Sequence, residues 1–200
     1  LSTEEITSNI ALIVGAGGET TRGAIMNMWA LLLRHPDQFD AVIGDGGNWD
    51  KAFHETLRHS SSIGGQPRHN TFDIEMHGVK VPAGSLMQMV DFAANHDERI
   101  FKQPESFNIF RDDLYYGKLL RSGYRKEGRC SHMAFGVGPH LCPGAWISHQ
   151  EAVVGSKILL SRMKNPRINE NKMPKDIDGK SPAPMGIISV RELWLEYDLS

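Results

Sequence analysis

The stretch Met133–Glu151, MAFGVGPHLCPGAWISHQE, places one cysteine between a glycine-rich turn and the expected start of a helix. Gly136 and Gly138 let the backbone bend, or approach a flat partner, where a Cβ atom would collide. Pro143 suits the first helical position because its missing N–H is not needed there. The free N–H groups and the positive dipole of a helix start then favour the thiolate of Cys142.

Such a thiolate can be a nucleophile, a zinc ligand or an axial ligand of haem iron. Zinc is disfavoured because Cys130 is the only other cysteine, and its spacing from Cys142 is not that of a zinc finger. A nucleophile needs a histidine base, but His140 lies two residues away, where side chains of an extended turn point to opposite faces. A free cysteine is commonly just a small buried residue. Haem ligation fits this glycine-rich setting best.

The loop resembles the haem-binding signature of cytochrome P450, in which a phenylalanine opens a glycine-rich turn and a cysteine thiolate binds iron. The resemblance implies haem b (iron protoporphyrin IX), with Cys142 as the metal ligand. It also implies the C-terminal portion of the P450 fold, mainly α with small antiparallel β sheets (α+β). The matching residues, all expected near the cofactor, are Phe135, Gly136, Gly138, His140, Cys142 and Gly144.

Composition and charge are those of an ordinary globular protein. The 200 residues are 40% apolar and 23% charged, with a net charge of −2. This balance gives no reason to expect nucleic acid or an anionic membrane as partner. No apolar run approaches a membrane span, and LSTEEITSN does not look like a signal peptide. We therefore expect a soluble, cytoplasmic protein, and two cysteines agree with a reducing compartment.

Residues 1–33 are predicted to form one helix, capped by Ser2 or Thr3, although three glycines interrupt its middle. The glycines could mark a helix crossing, with the threonines bonding back to the preceding turn. Alternatively, AGGETT resembles the oxygen-activating stretch of the central P450 helix. That resemblance implies that the Thr20 hydroxyl contacts bound dioxygen and that Glu19 belongs to the proton path. It also places Ala16 beside the cofactor.

Residues 49–59 are predicted to form a second helix, in which Glu55 and Arg58 lie on one face. An ion pair at this spacing is usually a surface feature of small energetic value. However, HETLR matches the ExxR motif of P450s, and the match implies a buried pair that supports the haem-binding core.

Residues 67–90 alternate in polarity and contain turns, which predicts a small antiparallel β region. Arg68 resembles the family arginine that pairs with a haem propionate, a geometry suited to a guanidinium group. An ordinary exposed arginine is the alternative. His132 and His140 lie where the family often has donors at the haem edge.

Residues 91–132 resemble the P450 meander followed by a longer, basic segment over 112–129. Many relatives carry an arginine two residues after the meander proline, where this chain has Ser106. Arg111 is the candidate replacement as third member of the Glu55–Arg58 network. For the basic segment, a solvated loop is the first interpretation and a docking patch for an acidic redox partner the second.

Residues 133–163 would form the cysteine loop and its helix, and residues 185–198 a C-terminal hairpin. By resemblance, Met185–Ile188 would line the substrate pocket. A P450 is about twice as long as this chain, so we expect a missing N-terminal half, supplied as a segment or as a separate chain. We accordingly expect the isolated chain to bind haem weakly and to hydroxylate poorly.

The resemblance implies a monooxygenase that inserts one oxygen atom of O2 into a small organic substrate. Its electrons would come from NAD(P)H through a ferredoxin or a flavin-type reductase. Two other functions stay open at this point: a non-catalytic haem-thiolate binding or sensor module, and a peroxide-driven or otherwise atypical P450.

Overall fold

The computed structural model describes residues 1–116, 125–126, 128–172, 189–190 and 192–198. Helices account for most of the regular structure in these ranges, together with one short 3-10 turn at Gly138–His140. The α-helices are α1 (Thr3–Arg34), α2 (Pro36–Gly44), α3 (Asn48–His59), α4 (Asp91–Asn95) and α5 (Ala145–Leu160).

The strands form small antiparallel pairs rather than one large sheet. The pairs are β1 (Gln66–His69) with β4 (Leu86–Met89), β2 (Ile74–Met76) with β3 (Val79–Val81), β5 (Arg125–Lys126) with β6 (Arg129–Cys130), and β7 (Lys164–Ile168) with β8 (Leu195–Asp198).

This architecture confirms the predicted fold class, mainly α with small antiparallel sheets. Within the described ranges, none of the helices combines the length and the apolar composition that crossing a membrane requires. The proposed pocket segment Met185–Ile188 lies outside these ranges, as do residues 117–124 of the basic segment.

Helix α1 runs for 32 residues without interruption, through all three glycines of the AGGETT region. Ser2 caps it as predicted, because its side chain accepts a hydrogen bond from the Glu5 amide and the Glu5 carboxylate accepts one from the Ser2 amide. Apart from the neighbouring backbone of α1 itself, no described atom beyond the adjacent residues lies within 4 Å of a Cβ built at Gly15, Gly17 or Gly18. These glycines are therefore not a crossing point with any other described helix.

The N-terminal part of α1, residues 3–19, is exposed along its whole length. Its C-terminal half carries the buried side chains of the helix and packs with α3 and α5 around Met28, Leu32 and Phe53, each 0% exposed. One polar contact crosses this core, where the indole N–H of Trp29 donates to Ser156 Oγ at 2.7 Å. The core thus fixes α3 and α5, the two helices next to the candidate site, against α1.

Helix α5 begins at Ala145 and ends at Leu160, so the predicted start at Pro143 and the predicted end at Met163 are wrong. Gly144 is the residue that precedes the first helical turn. Instead, the Ala145 amide donates to the Cys142 carbonyl at 3.3 Å. Pro143 therefore lies within this turn and not in the helix. The cysteine consequently lies one turn ahead of the helix, rather than directly at its first residue.

Candidate functional site

The loop before α5 has the bends that its glycines predict. Gly136 and Gly138 adopt positive φ angles of 68° and 72°, a region that favours glycine over residues with a Cβ atom. The Cys142 amide then donates to the Phe135 carbonyl at 2.9 Å and closes the loop. Cys142 itself is half-buried, whereas Cys130 is buried with Phe101 and Leu114 in a separate cluster. The loop thus leaves the Cys142 sulfur partly accessible to a ligand.

Phe135 connects this loop to the helical core. Its ring centroid lies 6.3 Å from that of Phe53 on α3 and 5.8 Å from that of His132. Gly144 lies close to the sulfur, since a Cβ atom added there would be 3.8 Å from Cys142 Sγ. The structure therefore brings together Phe135, His132, Gly144 and Cys142, four of the residues singled out from the sequence.

Glu55 and Arg58 form a fully buried ion pair on α3. Both side chains are 0% exposed, with Arg58 Nε 2.8 Å from Glu55 Oε2 and Arg58 Nη2 2.9 Å from Glu55 Oε1. Such a bidentate pair uses the planar fork of arginine fully. The remaining Arg58 donors bond the carbonyls of Asn95, Pro104 and Ser106, at 2.8 to 3.1 Å. Arg58 thus ties α3 to the irregular segment that follows α4.

Arg111 is the third member of this network. Its Nε lies 2.9 Å from Glu55 Oε2, and its Nη1 lies 2.7 Å from Asp113 Oδ1. Burial disfavours the charge of Arg111, but Glu55 and Asp113 outweigh burial and raise its pKa. Ser106 contributes only its carbonyl oxygen, which accepts from Arg58 and Arg111. Arg111 therefore lies beside the buried Glu55–Arg58 pair, whereas the side chain at position 106 brings no positive charge to the network.

Asn95, which the sequence analysis did not select, joins α3 to the cysteine loop. It is 0% exposed, its Oδ1 accepts from the Met133 amide at 2.7 Å, and its Nδ2 donates to the Leu57 carbonyl at 3.4 Å. In the sequence, a polar residue that follows two alanines in a short helix gives little indication that it is buried. Only the fold shows that this asparagine is buried and holds the loop.

Two further histidines, His54 and His149, were also missed. His54 Nδ1 lies 3.1 Å from His132 Nε2, and both rings are buried. His149 Nε2 lies 2.7 Å from Asp50 Oδ1, and its ring stacks on that of Trp146. No local signal marks these two residues, because adjacent side chains on a helix do not face each other and the partners lie far away in the sequence.

The three candidate residues of α1 stay together on that helix. Thr20 is half-buried, and its Oγ1 donates to the Ala16 carbonyl at 2.7 Å, so the predicted back-bonding is present. The Thr20 carbonyl accepts from Ser62 Oγ at 2.8 Å. Glu19 is exposed and pairs with Arg22 one turn later. These contacts hold the Thr20 turn against the segment that follows α3.

Arg68 and His140 are both exposed. Arg68 lies on β1 and donates to its neighbours, the Pro67 carbonyl at 2.8 Å and Gln66 Oε1 at 3.0 Å. The charge of Arg68 also influences Asp91. Burial raises the pKa of Asp91, and the positive charge of Arg68 offsets part of that increase. His140 ends the 3-10 turn of the cysteine loop. Binding a propionate through either residue stays a prediction.

The residues around Cys142 fit a haem group. Cys142 is half-buried, and the loop before it turns at two glycines that leave no Cβ atom in the way. His132 is 2% exposed, and its Nδ1 is buried with no hydrogen-bond partner in the described part of the chain. Because a buried polar atom without a partner is rare, this nitrogen is suited to a ligand group such as a carboxylate.

Burial keeps two histidines of α3, His54 and His59, neutral near pH 7, which predicts an acid-sensitive fold. It lowers the pKa of His54 from 6.5 to about 4, with the charge of His149 assisting, and it lowers the pKa of His59 to about 4, with Arg58 assisting. Both pKa values are lower in the folded than in the unfolded chain. The unfolded state therefore binds more protons below pH 6.5, and stability falls as the pH drops from 6.5 towards 4.

We expect the free energy of unfolding to be lower at pH 5 than at pH 7, by about 2 kcal/mol for each of these two histidines. Urea denaturation at the two pH values measures the difference. A His59→Phe variant serves as control, because it should lose only its own share of the pH dependence. Equal dependence on pH in the variant and the parent chain would contradict this account.

The sequence model described as "Cytochrome P450" matches residues 49–189. The chain therefore belongs to the cytochrome P450 family of haem-thiolate monooxygenases. It is 31% identical over 171 residues both to pulcherriminic acid synthase of Bacillus subtilis and to steroid C26-monooxygenase of Mycolicibacterium smegmatis. Each alignment covers 86% of this chain, but only 41% and 39% of those relatives. The chain thus spans about two fifths of the length of the curated relatives it matches.

Solved structures agree with this assignment. The P450 heme domain of Tepidiphilus thermophilus superimposes with a TM-score of 0.80 at 26% identity. The match covers 99% of this chain and 42% of that one. The arrangement of helices and small sheets is therefore that of the corresponding part of a P450.

Proposed function

We propose that this chain forms the haem-binding part of a monooxygenase that inserts one oxygen atom of O2 into a small organic substrate. The observation that carries the proposal is the setting of Cys142, half-buried and tied by its amide to Phe135 after two left-handed glycines. Haem b, when bound, would supply the activation of dioxygen, with electrons from NAD(P)H delivered by a ferredoxin or a flavin-type reductase.

The chain offers residues for each part of the cofactor. Cys142 would bind the iron, because its thiolate is a strong electron donor. His132 would donate to a propionate from its unpartnered Nδ1, while Arg68 and His140 are exposed cations or donors that could reach the same groups. The remaining residues proposed to contact the haem are Phe135, Gly136, Gly144 and, from α1, Ala16.

Thr20 and Glu19 are the proposed proton-handling residues. In this structure, the Thr20 hydroxyl proton is engaged with the Ala16 carbonyl, which leaves the lone pairs of Oγ1 free to accept from water or from a ligand. Glu19 pairs with Arg22 at the surface of α1. To pass a proton towards Thr20, directly or through water, the Glu19 carboxylate would have to leave Arg22 and first take up a proton from solvent.

Thr20→Ala tests the monooxygenase proposal. In the protein expressed from the complete gene, with redox partners and a turned-over substrate, we expect product formed per NAD(P)H to fall about tenfold or more while oxygen consumption continues. Thr20→Ser is the matched control, since it keeps the hydroxyl and should stay close to the parent protein. Unchanged coupling in Thr20→Ala would count against the proposed role.

A second candidate is a non-catalytic haem-thiolate module, which binds or senses without turnover. The Glu19–Arg22 ion pair favours this candidate, because a Glu19 carboxylate paired with Arg22 is not positioned to deliver a proton to Thr20. NAD(P)H-dependent product formation would exclude this candidate. A peroxide-driven P450 is the third possibility, and it would show product with peroxide and no loss in Thr20→Ala.

A further inference from the structure

The hydrogen bond between His54 and His132 determines where His132 can carry its proton. His54 Nδ1 and His132 Nε2 lie 3.1 Å apart, and the two rings are 6% and 2% exposed. One of these nitrogens must donate and the other must accept, so a single N–H lies between the rings. If His54 donates, His132 carries its own proton on Nδ1, whereas if His132 donates, its Nδ1 is a bare lone pair.

The other nitrogen of His132 decides between these arrangements. Its Nδ1 is buried and has no partner among the described residues. An N–H at this position can donate to an anion, whereas a lone pair would repel one. Burial lowers the pKa of both rings, so neither is a cation that could donate from both nitrogens. Only the His132 tautomer with its proton on Nδ1 is therefore compatible with a carboxylate ligand.

We propose that His54 is a positioning residue that donates from Nδ1 to His132 and thereby holds His132 in the tautomer that presents an N–H to a haem carboxylate. The inference rests on the proposed function, because it takes a haem carboxylate as the partner of His132. It extends that function to His54, which precedes the Glu55–Arg58 pair and would touch neither the haem nor a substrate.

The surroundings of His54 hold its ring in place. Its centroid lies 5.7 Å from that of Phe53, 6.1 Å from that of Tyr116 and 5.3 Å from that of His132. The Tyr116 hydroxyl is itself engaged, since its single O–H is shared between the carbonyls of Ile109 and Arg111 at 3.2 and 3.3 Å. His149 is occupied by Asp50 and Gln150. A ring packed in this way imposes one orientation on its partner.

Two substitutions separate donation from packing. His54→Phe keeps a ring in the aromatic surroundings but removes the donor. His54→Asn keeps an N–H close to the position of Nδ1, so it is the conservative control. Both are compared with the parent 200-residue chain without haem, by nitrogen-15 NMR of the histidine side chains, which reports the tautomer of His132. We expect the Nδ1–H form in the parent chain and in His54→Asn, and loss of that single form in His54→Phe.

Haem titration of the same three proteins supplies the second readout. We expect the dissociation constant to rise about threefold or more in His54→Phe, because only the fraction of His132 with its proton on Nδ1 can then bind the carboxylate, and to stay within about twofold in His54→Asn. An Nε2–H tautomer in the parent chain would overturn the inference, as would a His54→Phe protein with unchanged tautomer and affinity. Failure of the proposed function is a different result, in which the parent chain binds haem without thiolate ligation.

Discussion

Replacement of Cys142 by serine is expected to abolish thiolate ligation of haem by this chain. The half-buried sulfur is the proposed iron ligand, and a serine hydroxyl at the same place is far less acidic and a much weaker electron donor. We therefore expect the red-shifted absorption band of the reduced, carbon monoxide-bound form to be present in the parent chain and absent in Cys142→Ser. The spectrum is recorded after titration with haem to saturation, so that weak binding does not hide the ligand.

Cys130→Ser is the matched control for this experiment. Cys130 is 2% exposed and packs with Phe101 and Leu114, apart from the glycine-rich loop. Its loss should leave the ligand unchanged, even if the fold becomes somewhat less stable. A red-shifted band that persists in Cys142→Ser and disappears in Cys130→Ser would show that the wrong cysteine has been chosen.

Replacement of Arg58 by alanine is expected to unfold the chain or to bring it close to unfolding. It would leave the Glu55 carboxylate in a fully buried position without its bidentate partner. It would also remove the donors to the carbonyls of Asn95, Pro104 and Ser106. Breaking a buried pair on one side costs about 3–5 kcal/mol. A domain of this size has only about 5–15 kcal/mol of stability to lose.

Urea denaturation measures the effect, with Arg99→Ala as the control. Arg99 also forms an ion pair, with Asp97, but its side chain is 85% exposed, so its removal should change stability little. Arg58→Lys should resemble Arg58→Ala more than the parent chain, because an ammonium group cannot form the bidentate pair and reach the three carbonyls as well. Equal stability of Arg58→Ala and Arg99→Ala would show that the buried network does not support the fold.

The parts of the site that the sequence could predict are those encoded locally. Two glycines in a short loop predicted a backbone bend, and the structure has positive φ angles at Gly136 and Gly138. The three-residue spacing of Glu55 and Arg58 placed them on one helix face, where they form an ion pair. The capping of α1 by Ser2 is likewise a relation between residues three apart. In each case, backbone geometry over a few residues determines the contact.

The parts that the sequence could not predict depend on which distant segments meet. Arg111 reaches Glu55 because the segment after α4 folds back over α3. Residue type and spacing alone do not reveal this contact, and only the family resemblance made Arg111 a candidate. His54 and His132 are separated by 78 positions and meet only because the cysteine loop packs on α3. The start of α5 was misplaced for a local reason, since the turn between Cys142 and Ala145 competed with the helical preference of Pro143.

X-ray absorption at the iron edge identifies the atoms bound to the metal and so tests whether Cys142 is the ligand. In the parent chain reconstituted with haem, we expect one sulfur neighbour in addition to the four porphyrin nitrogens, and loss of that sulfur in Cys142→Ser. Iron with only nitrogen or oxygen neighbours in the parent chain would contradict the assignment of Cys142 as the haem ligand.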